Sequence, residues 1–253
     1  MKVRNKITNT YPVAFHMSGL GKWNRLGHEI HRYSKNLKHE RIPLREDVDL
    51  CFMSYGYKNK SCLENSLNQF GLSIVNLNDY VELSESDDFG QIKATKLKAL
   101  KKYLETSTKK YVIGQDAGDV FFLRHPNCVV DIFEEKFNCG MLLNGETDIF
   151  PDEASPIYKR LYCRPNYEDK NSKFRFLNSG LFIAKTEFLK SIIDELIATP
   201  YLEGRQNSKD QGQFQQIYEK YYPNMQVDVN CEIFQTTVFR KRDRGKDNKF
   251  LEI

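Results

Sequence analysis

The sequence predicts an α/β fold, a single domain whose mostly parallel central sheet is flanked by helices. Three observations predict it. Between about residues 48 and 235, strand-like apolar runs alternate with helix-like patterns, and strands separated by helices form βαβ units with parallel pairing. In the helix-like stretches apolar residues recur at helical spacing, as at Ile92, Leu97, Leu100 and Leu104, with lysines on the other face. The chain of 253 residues is 40% hydrophobic and 13% aromatic, enough for a sizeable core and against wholesale disorder.

The elements follow in order. The opening segment, 1–47, carries a strand-like PVAFH at 12–16, a glycine turn at 18–21 and a helix-like stretch at 23–33. Three of the five histidines lie in or near that helix-like stretch, at His28, His31 and His39. His28 and His31 can share a helix face, but no third metal ligand accompanies them. The core, 48–236, opens with a strand at 48–54 (VDLCFMS) and an amphipathic helix at 61–70 ended by Gly71. A strand at 72–77 (LSIVNL), a helix at 91–105 and a strand at 111–115 (YVIGQ) come next. A helix at 129–137 and a strand at 139–143 follow, then a stretch rich in Pro, Asp, Glu and Tyr at 144–169 that reads as loops. The segment FRFLNSGLFIA at 174–184 reads as two strand pieces flanking Asn178-Ser179-Gly180. Helices at 186–198, with Thr186 as N-cap, and at 209–222 complete the core. Residues 237–253 read as a solvated basic tail, with Arg240, Lys241, Arg242, Arg244, Lys246 and Lys249 interrupted by Asp243 and Asp247.

Composition narrows the function. The formal charge of +4 is the small difference between 38 basic and 34 acidic residues, too balanced to make nucleic acid or a membrane surface the main partner. The six cysteines form no Cys-x-x-Cys pair, which argues against a zinc or redox motif. The basic residues at the N-terminus lead into no apolar signal segment, and no run of about 18 apolar residues exists. These features favour a reducing compartment and a cytoplasmic protein.

The feature that points to chemistry is Asp116-Ala117-Gly118-Asp119, which follows the apolar run at 111–115. Acids are seldom buried unless paired or metal-bound. Two of them at a strand end can give oxygen ligands to a hard divalent cation such as Mn²⁺ or Mg²⁺. The same residues also suit a turn. Ligands of parallel sheets bind outside the carboxyl ends of the strands, which is where Asp116 falls.

Several segments, in order over roughly residues 48–236, resemble nucleotide-sugar glycosyltransferases of the GT-A type. The approach from Lys96 through Lys109-Lys110-Tyr111-Val112-Ile113 to the acid pair resembles the Asp-x-Asp region of glycogenin-like transferases. The wider Asp-x-x-Asp spacing is similar to that of the glycosyltransferase domain of collagen lysyl hydroxylases. CGMLLNGETDIFP at 139–151 resembles the next segment of that domain, where a strand leads to an acidic residue and then a proline. FLNSGLFI at 176–183 resembles the Asn-Ser-Gly element of both groups, Asp210-Gln211-Gly212 their Asp-Gln motif, and Ile233-Phe234-Gln235 the hydroxylase-like ending.

The resemblance implies a transferase that moves a sugar from a nucleoside diphosphate, a UDP-sugar, to a glycan, protein or small-molecule acceptor. Relatives place a metal-binding histidine after the last of these motifs, but this chain has no histidine past Gln235. His16-Met17-Ser18-Gly19-Leu20-Gly21-Lys22-Trp23 instead resembles their His-x-x-Gly-x-x-Lys-Pro-Trp motif without its proline. The implied order is circularly permuted, which is physically cheap where termini lie close together. The metal ligands would then be Asp116, Asp119 and His16. Gly19 and Lys22 would hold the diphosphate, Ser54 and Tyr55 the base and ribose, and Lys96 the donor. Asn178, Asp210 and Gln211 would line the sugar and acceptor side, and the resemblance to the glycogenin-like group implies retention of anomeric configuration. A non-catalytic nucleotide-sugar-binding module and a nucleotide-sugar hydrolase are the alternatives. A sugar-phosphate nucleotidylyltransferase is disfavoured, because Ser54-Tyr55-Gly56-Tyr57-Lys58 is no glycine-rich loop.

Overall fold

The computed structural model describes residues 3–17, 29–30, 32, 34, 39–53, 61–82, 89–147, 150, 171–200, 209–237 and 251–252. The glycine turn at 18–21, most of the helix-like stretch at 23–33, His28, His31 and most of 144–169 lie outside them. Strands are β1 (Arg4–Asn5), β2 (Ala14–His16), β3 (Val48–Met53), β4 (Val75–Asn76), β5 (Tyr111–Asp116), β6 (Val120–Phe122), β7 (Met141–Glu146), β8 (Phe176–Lys185), β9 (Met225–Asp228), β10 (Phe234–Thr236) and β11 (Leu251–Glu252). Helices are α1 (Cys62–Phe70), α2 (Phe89–Thr106), α3 (Asn127–Lys136), α4 (Thr186–Ala198) and α5 (Lys209–Tyr221).

The central sheet has six strands in the order β4-β3-β5-β8-β7-β9. β4, β3 and β5 pair in parallel, β8 is antiparallel to both β5 and β7, and β7 pairs in parallel with β9. Five strands therefore run one way and β8 alone runs against them, so the sheet is mostly parallel as expected. Successive residues face opposite sides of a strand. Val112, Leu143 and Phe182 accordingly pack with Leu100, Leu104, Ile192, Phe214 and Ile217 of α2, α4 and α5. Their neighbours Ile113, Leu142 and Ile183 pack on the other face with Leu63 and Leu67 of α1 and Val129 and Phe133 of α3. A strand buried on both faces reads as a continuous apolar run, which is why β5 was legible.

Local signals held where side chains act on their own backbone. Ser61 caps α1 by accepting from the Glu64 N–H at 3.2 Å, and Glu64 accepts in return from the Ser61 N–H at 2.8 Å. Gly71 ends that helix at φ 74°, the left-handed conformation glycine adopts without cost. Elsewhere the structure corrects the sequence reading. The strand expected at 72–77 shrinks to β4, because the Asn76 side chain accepts from the Asn78 N–H and starts a 3₁₀ turn over Leu77–Tyr80. Thr186 is the first helical residue of α4 and not its cap, a position held by Lys185 without a side-chain bond.

The two strand pieces expected around Asn178-Ser179-Gly180 are one strand of ten residues, β8. Its pairing with β7 jumps from Leu143↔Phe182 to Asn144↔Asn178, so the Asn-Ser-Gly element is a bulge inside the strand and not a turn between two. The strand expected to stop at 143 continues through Asn144 and Gly145 to Glu146. The end of the expected free tail returns to the fold as well, with Leu251 and Glu252 pairing antiparallel with Asn5 and Arg4.

A second, three-stranded sheet holds the front of the chain in place, in the order β10-β2-β6. β2 is parallel to β10 and antiparallel to β6. Phe15 and Phe121 stack across it with ring centroids 5.6 Å apart, and the buried Asn5 amide donates to Gln235 at 2.7 Å. Among the described residues, no helix is long and apolar enough to cross a membrane.

A candidate metal centre

Two strand ends and one register assemble the site. β5 ends at Asp116, the short Ala117-Gly118 link turns the chain, and Asp119 directly precedes β6. The β2–β6 register sets His16 opposite Val120, and the Met17 N–H donates to the Asp119 carbonyl at 2.8 Å. On its other edge β2 sets His16 opposite Thr236. Pinned on both sides, His16 has no freedom to slip in register.

His16 Nε2 lies 3.7 Å from an Asp116 oxygen and 3.6 Å from an Asp119 oxygen. One ligand atom from each of the three residues falls within 4.8 Å of the others. His16 and Asp119 are buried, while the Asp116 side chain is 41% exposed and opens the group to solvent. Burial lowers the imidazole pKa, but the Asp119, Asp116 and Glu146 carboxylates outweigh it and hold it above the ordinary histidine value. His16 Nε2 is buried without a hydrogen-bond partner. A nitrogen with no hydrogen bond, facing two carboxylates, is what a divalent cation would complete, so the donor set fits such an ion.

Lys96 on α2 links this group to the opposite wall. Its ammonium donates to Asp116 at 2.7 Å and to Asp210, in the first turn of α5, at 3.0 Å. Burial would lower its pKa, but the two carboxylates raise it well above the ordinary lysine value. Asp210 also accepts from the Ser179 hydroxyl at 3.1 Å.

Behind His16 lies a buried polar relay. His16 Nδ1 is 2.9 Å from Asn178 Oδ1, which also accepts from the Gly180 N–H at 2.9 Å. Asn178 Nδ2 donates to Glu146 at 3.1 Å, and Gln211 Nε2 donates to the other Glu146 oxygen at 2.7 Å and to the Phe150 carbonyl at 2.8 Å. The bulge in β8 makes this possible by aiming Asn178 and Ser179 at separate partners, and Gly180 gives the imidazole its seat. A Cβ on Gly180 would lie 2.1 Å from His16 Cε1.

The structure thus brings together His16, Lys96, Asp116, Asp119, Asn178, Asp210 and Gln211. Asn178 sits behind His16 and not at an open wall, with both amide atoms engaged. Gly19, Lys22, Ser54 and Tyr55 lie outside the described residues. Sequence reasoning missed Glu146 and Ser179. Glu146 had a signal, since like Asp116 it ends an apolar run, MLLNG. Ser179 had none beyond its place in the Asn-Ser-Gly element. No histidine besides His16 joins a cluster of potential ligands among the described residues. His39 instead packs at a tilt against Phe70, with ring centroids 4.0 Å apart.

Comparison with known proteins gives the fold and site their setting. No curated protein sequence matches the chain. Among solved structures it is similar to glucosyl-3-phosphoglycerate synthase of Mycobacterium tuberculosis, at 14% identity and a TM-score of 0.41, over 77% of this chain and 63% of that one. The chain therefore spans less than two thirds of that protein's length. A structure of the same synthase with Mn²⁺, UDP and glucosyl-3-phosphoglycerate is similar at 13% identity and a TM-score of 0.42, over 78% and 74%. Mannosyl-3-phosphoglycerate synthase from Rubrobacter xylanophilus is similar at 13% identity and a TM-score of 0.37, over 85% and 72%. The family model described as PLOD GT domain matches residues 60–243, most of the chain and all of the site but His16. The chain belongs to the PLOD GT domain family.

Proposed function

We propose that the protein transfers a sugar from a UDP-sugar donor in a reaction that depends on a divalent cation held by His16, Asp116 and Asp119. One observation carries the reading: in a chain of this family, ligand atoms of an imidazole and two carboxylates gather within 4.8 Å at the carboxyl end of β5. Mixed nitrogen and oxygen ligands suit Mn²⁺ better than Mg²⁺. The cation would supply positive charge to the diphosphate as the glycosidic bond breaks. Lys96, already seated on Asp116 and Asp210, stands where it can meet the donor between the cation site and α5. Asp210 and Gln211 form the wall next to it and would orient the sugar and the acceptor.

Gly19 and Lys22 would hold the diphosphate, and Ser54 and Tyr55 the base and ribose. The parallel pairing of β2 with β10 supports a permuted chain order, because it sets His16 beside the segment after which relatives carry their histidine. Retention of anomeric configuration follows from the likeness to the glycogenin-like group. Five described cysteines are free thiols, Cys51, Cys139 and Cys231 of them buried, and this supports action in the reducing cytoplasm.

The test is turnover of UDP-sugars with Mn²⁺ and after chelation, with products analysed in the presence and absence of sugar, peptide and small-molecule acceptors. Metal-dependent release of UDP coupled to a glycosylated acceptor is the expected result. Turnover unchanged by chelation would overturn the metal reading. Release of free sugar alone, whatever acceptor is offered, would make the protein a hydrolase. UDP-sugar binding without any turnover would make it a binding module.

A further inference from the structure

We infer that Asn178 is a positioning residue that fixes His16 as the Nδ1–H tautomer and so presents the Nε2 lone pair to the cation site. The inference rests on the metal reading above and assigns a role to a residue that touches neither metal nor substrate.

The backbone settles which way the Asn178 amide points. The Gly180 N–H can only donate, and it meets Asn178 at 2.9 Å, so the atom it meets must be the carbonyl oxygen. On the opposite side the Asn178 amide nitrogen faces a Glu146 oxygen at 3.1 Å, as a donor should. The oxygen that accepts from Gly180 is the one 2.9 Å from His16 Nδ1. A carbonyl oxygen cannot donate, so in the neutral ring Nδ1 must carry the proton, and Nε2 is left with its lone pair. That lone pair belongs to the nitrogen which, buried and without a hydrogen bond, faces Asp116 and Asp119.

Gly180 contributes twice. Its N–H orients Asn178, and its missing side chain leaves room for the imidazole, since a Cβ there would lie 2.6 Å from Nδ1 and 2.7 Å from Nε2. Glu146 completes the orientation by accepting from Asn178 on one oxygen and from Gln211 on the other. This chain of contacts accounts for Asn-Ser-Gly in mid-strand: the asparagine holds the ring from behind, and the glycine lets the ring in.

Two measurements test it. The first is the ¹⁵N spectrum of His16 in the metal-free wild-type protein, at a pH where the ring is neutral. The expected signature is protonated Nδ1 and unprotonated Nε2, and the reverse pattern overturns the inference whatever any variant does. The second is Mn²⁺ affinity of Asn178→Ala and His16→Ala by calorimetry, without substrate. Asn178→Ala should bind Mn²⁺ roughly 10- to 100-fold more weakly, the usual effect of losing a group that orients a ligand, and should lose the pure Nδ1–H signature. Asn178→Asp keeps an acceptor for both His16 and Gly180, so it should keep that signature; its second oxygen replaces the amide that donated to Glu146, so the tautomer and not the affinity is its readout.

A folded Asn178→Ala protein with wild-type tautomer and affinity overturns the inference, even if it melts earlier, since a purely structural role predicts that result. If His16→Ala binds Mn²⁺ as tightly as wild type, the metal reading itself fails. If His16→Ala loses affinity while Asn178→Ala does not, only the role of Asn178 fails.

Discussion

Replacing Gly180 by alanine tests the tightest contact in the site. The new Cβ would stand 2.1 Å from His16 Cε1, and ordinary contact begins near 3.4 Å, so the ring would have to retreat by about 1.3 Å. Retreat is blocked. The backbone of β2 is paired on both edges, and the ring is buried between Asn178 and the two aspartates. Overpacking of this kind costs about 1–3 kcal/mol, and a chain of this size loses about 2–4 °C of melting temperature per kcal/mol. The variant should therefore melt roughly 2–12 °C below wild type by calorimetry, with weaker Mn²⁺ binding in a separate titration. The same substitution in a His16→Ala background should cost under about 0.5 kcal/mol, because the ring it strikes is gone, giving a coupling energy of at least about 0.5 kcal/mol. A Gly180→Ala protein that melts within about 1 °C of wild type and binds Mn²⁺ equally well would refute the seat proposed for His16.

Asp119→Ala should abolish Mn²⁺-dependent turnover and the rise in melting temperature on adding Mn²⁺, while circular dichroism shows the fold intact; wild-type turnover in that variant would reduce the acid pair to a turn. Lys96→Met strands the Asp116 and Asp210 carboxylates and should cost about 1–3 kcal/mol in the metal-free protein, less than a fully buried pair because Asp116 is partly exposed. Added Mn²⁺ should then raise the melting temperature of Lys96→Met more than that of wild type, and an equal or smaller rise would contradict the charge balance drawn here. Burial pushes the Asp228 carboxyl up to about 6, against the three backbone N–H groups of Phe234, Ile233 and Glu232 that favour its charge. The folded state thus holds this proton more tightly than the unfolded chain, so the contribution of Asp228 to stability is full below about pH 4 and is lost as pH rises through about 6. Urea unfolding from pH 4 to 7 should show that decline in wild type and a flatter profile in Asp228→Asn; parallel profiles would refute it.

How much was legible depended on whether the deciding force was local. β5 could be read because both of its faces are buried and its sequence is an unbroken apolar run. α1 could be read because Ser61, Glu64 and Gly71 act on backbone within four residues. Asn178-Ser179-Gly180 looked like a turn, since all three residues favour turns. What keeps them in a strand is the pairing of Asn178 with Asn144 of β7, the pairing of the following residues from Leu181 on with β5, and an imidazole from 162 positions away, which no local window contains. Asp116 and Asp119 announced themselves at a strand end. Glu146 stood at a similar end, yet its partners Asn178 and Gln211 lie 32 and 65 positions away. Lys96 was read as reaching outward to a donor, whereas its first partners are Asp116 and Asp210, brought within reach only by the packing of α2 and α5 against one face of the sheet.

The parallel pairing of β2 with β10 has a consequence for the newborn chain. His16 leaves the ribosome well before Phe234–Thr236, and one edge of its strand stays unpaired until they have followed. Contacts this distant in sequence are slow to form. During synthesis β2 can wait on β6 as a two-stranded ribbon, with Phe15 already against Phe121, but such a pair is marginal without a third strand. The pocket at the end of β5 therefore depends on completion: a chain interrupted before residue 234 would lack the strand that holds one edge of His16. In such a chain Asp116 and Asp119 would lack the fixed imidazole that completes the three-residue cluster.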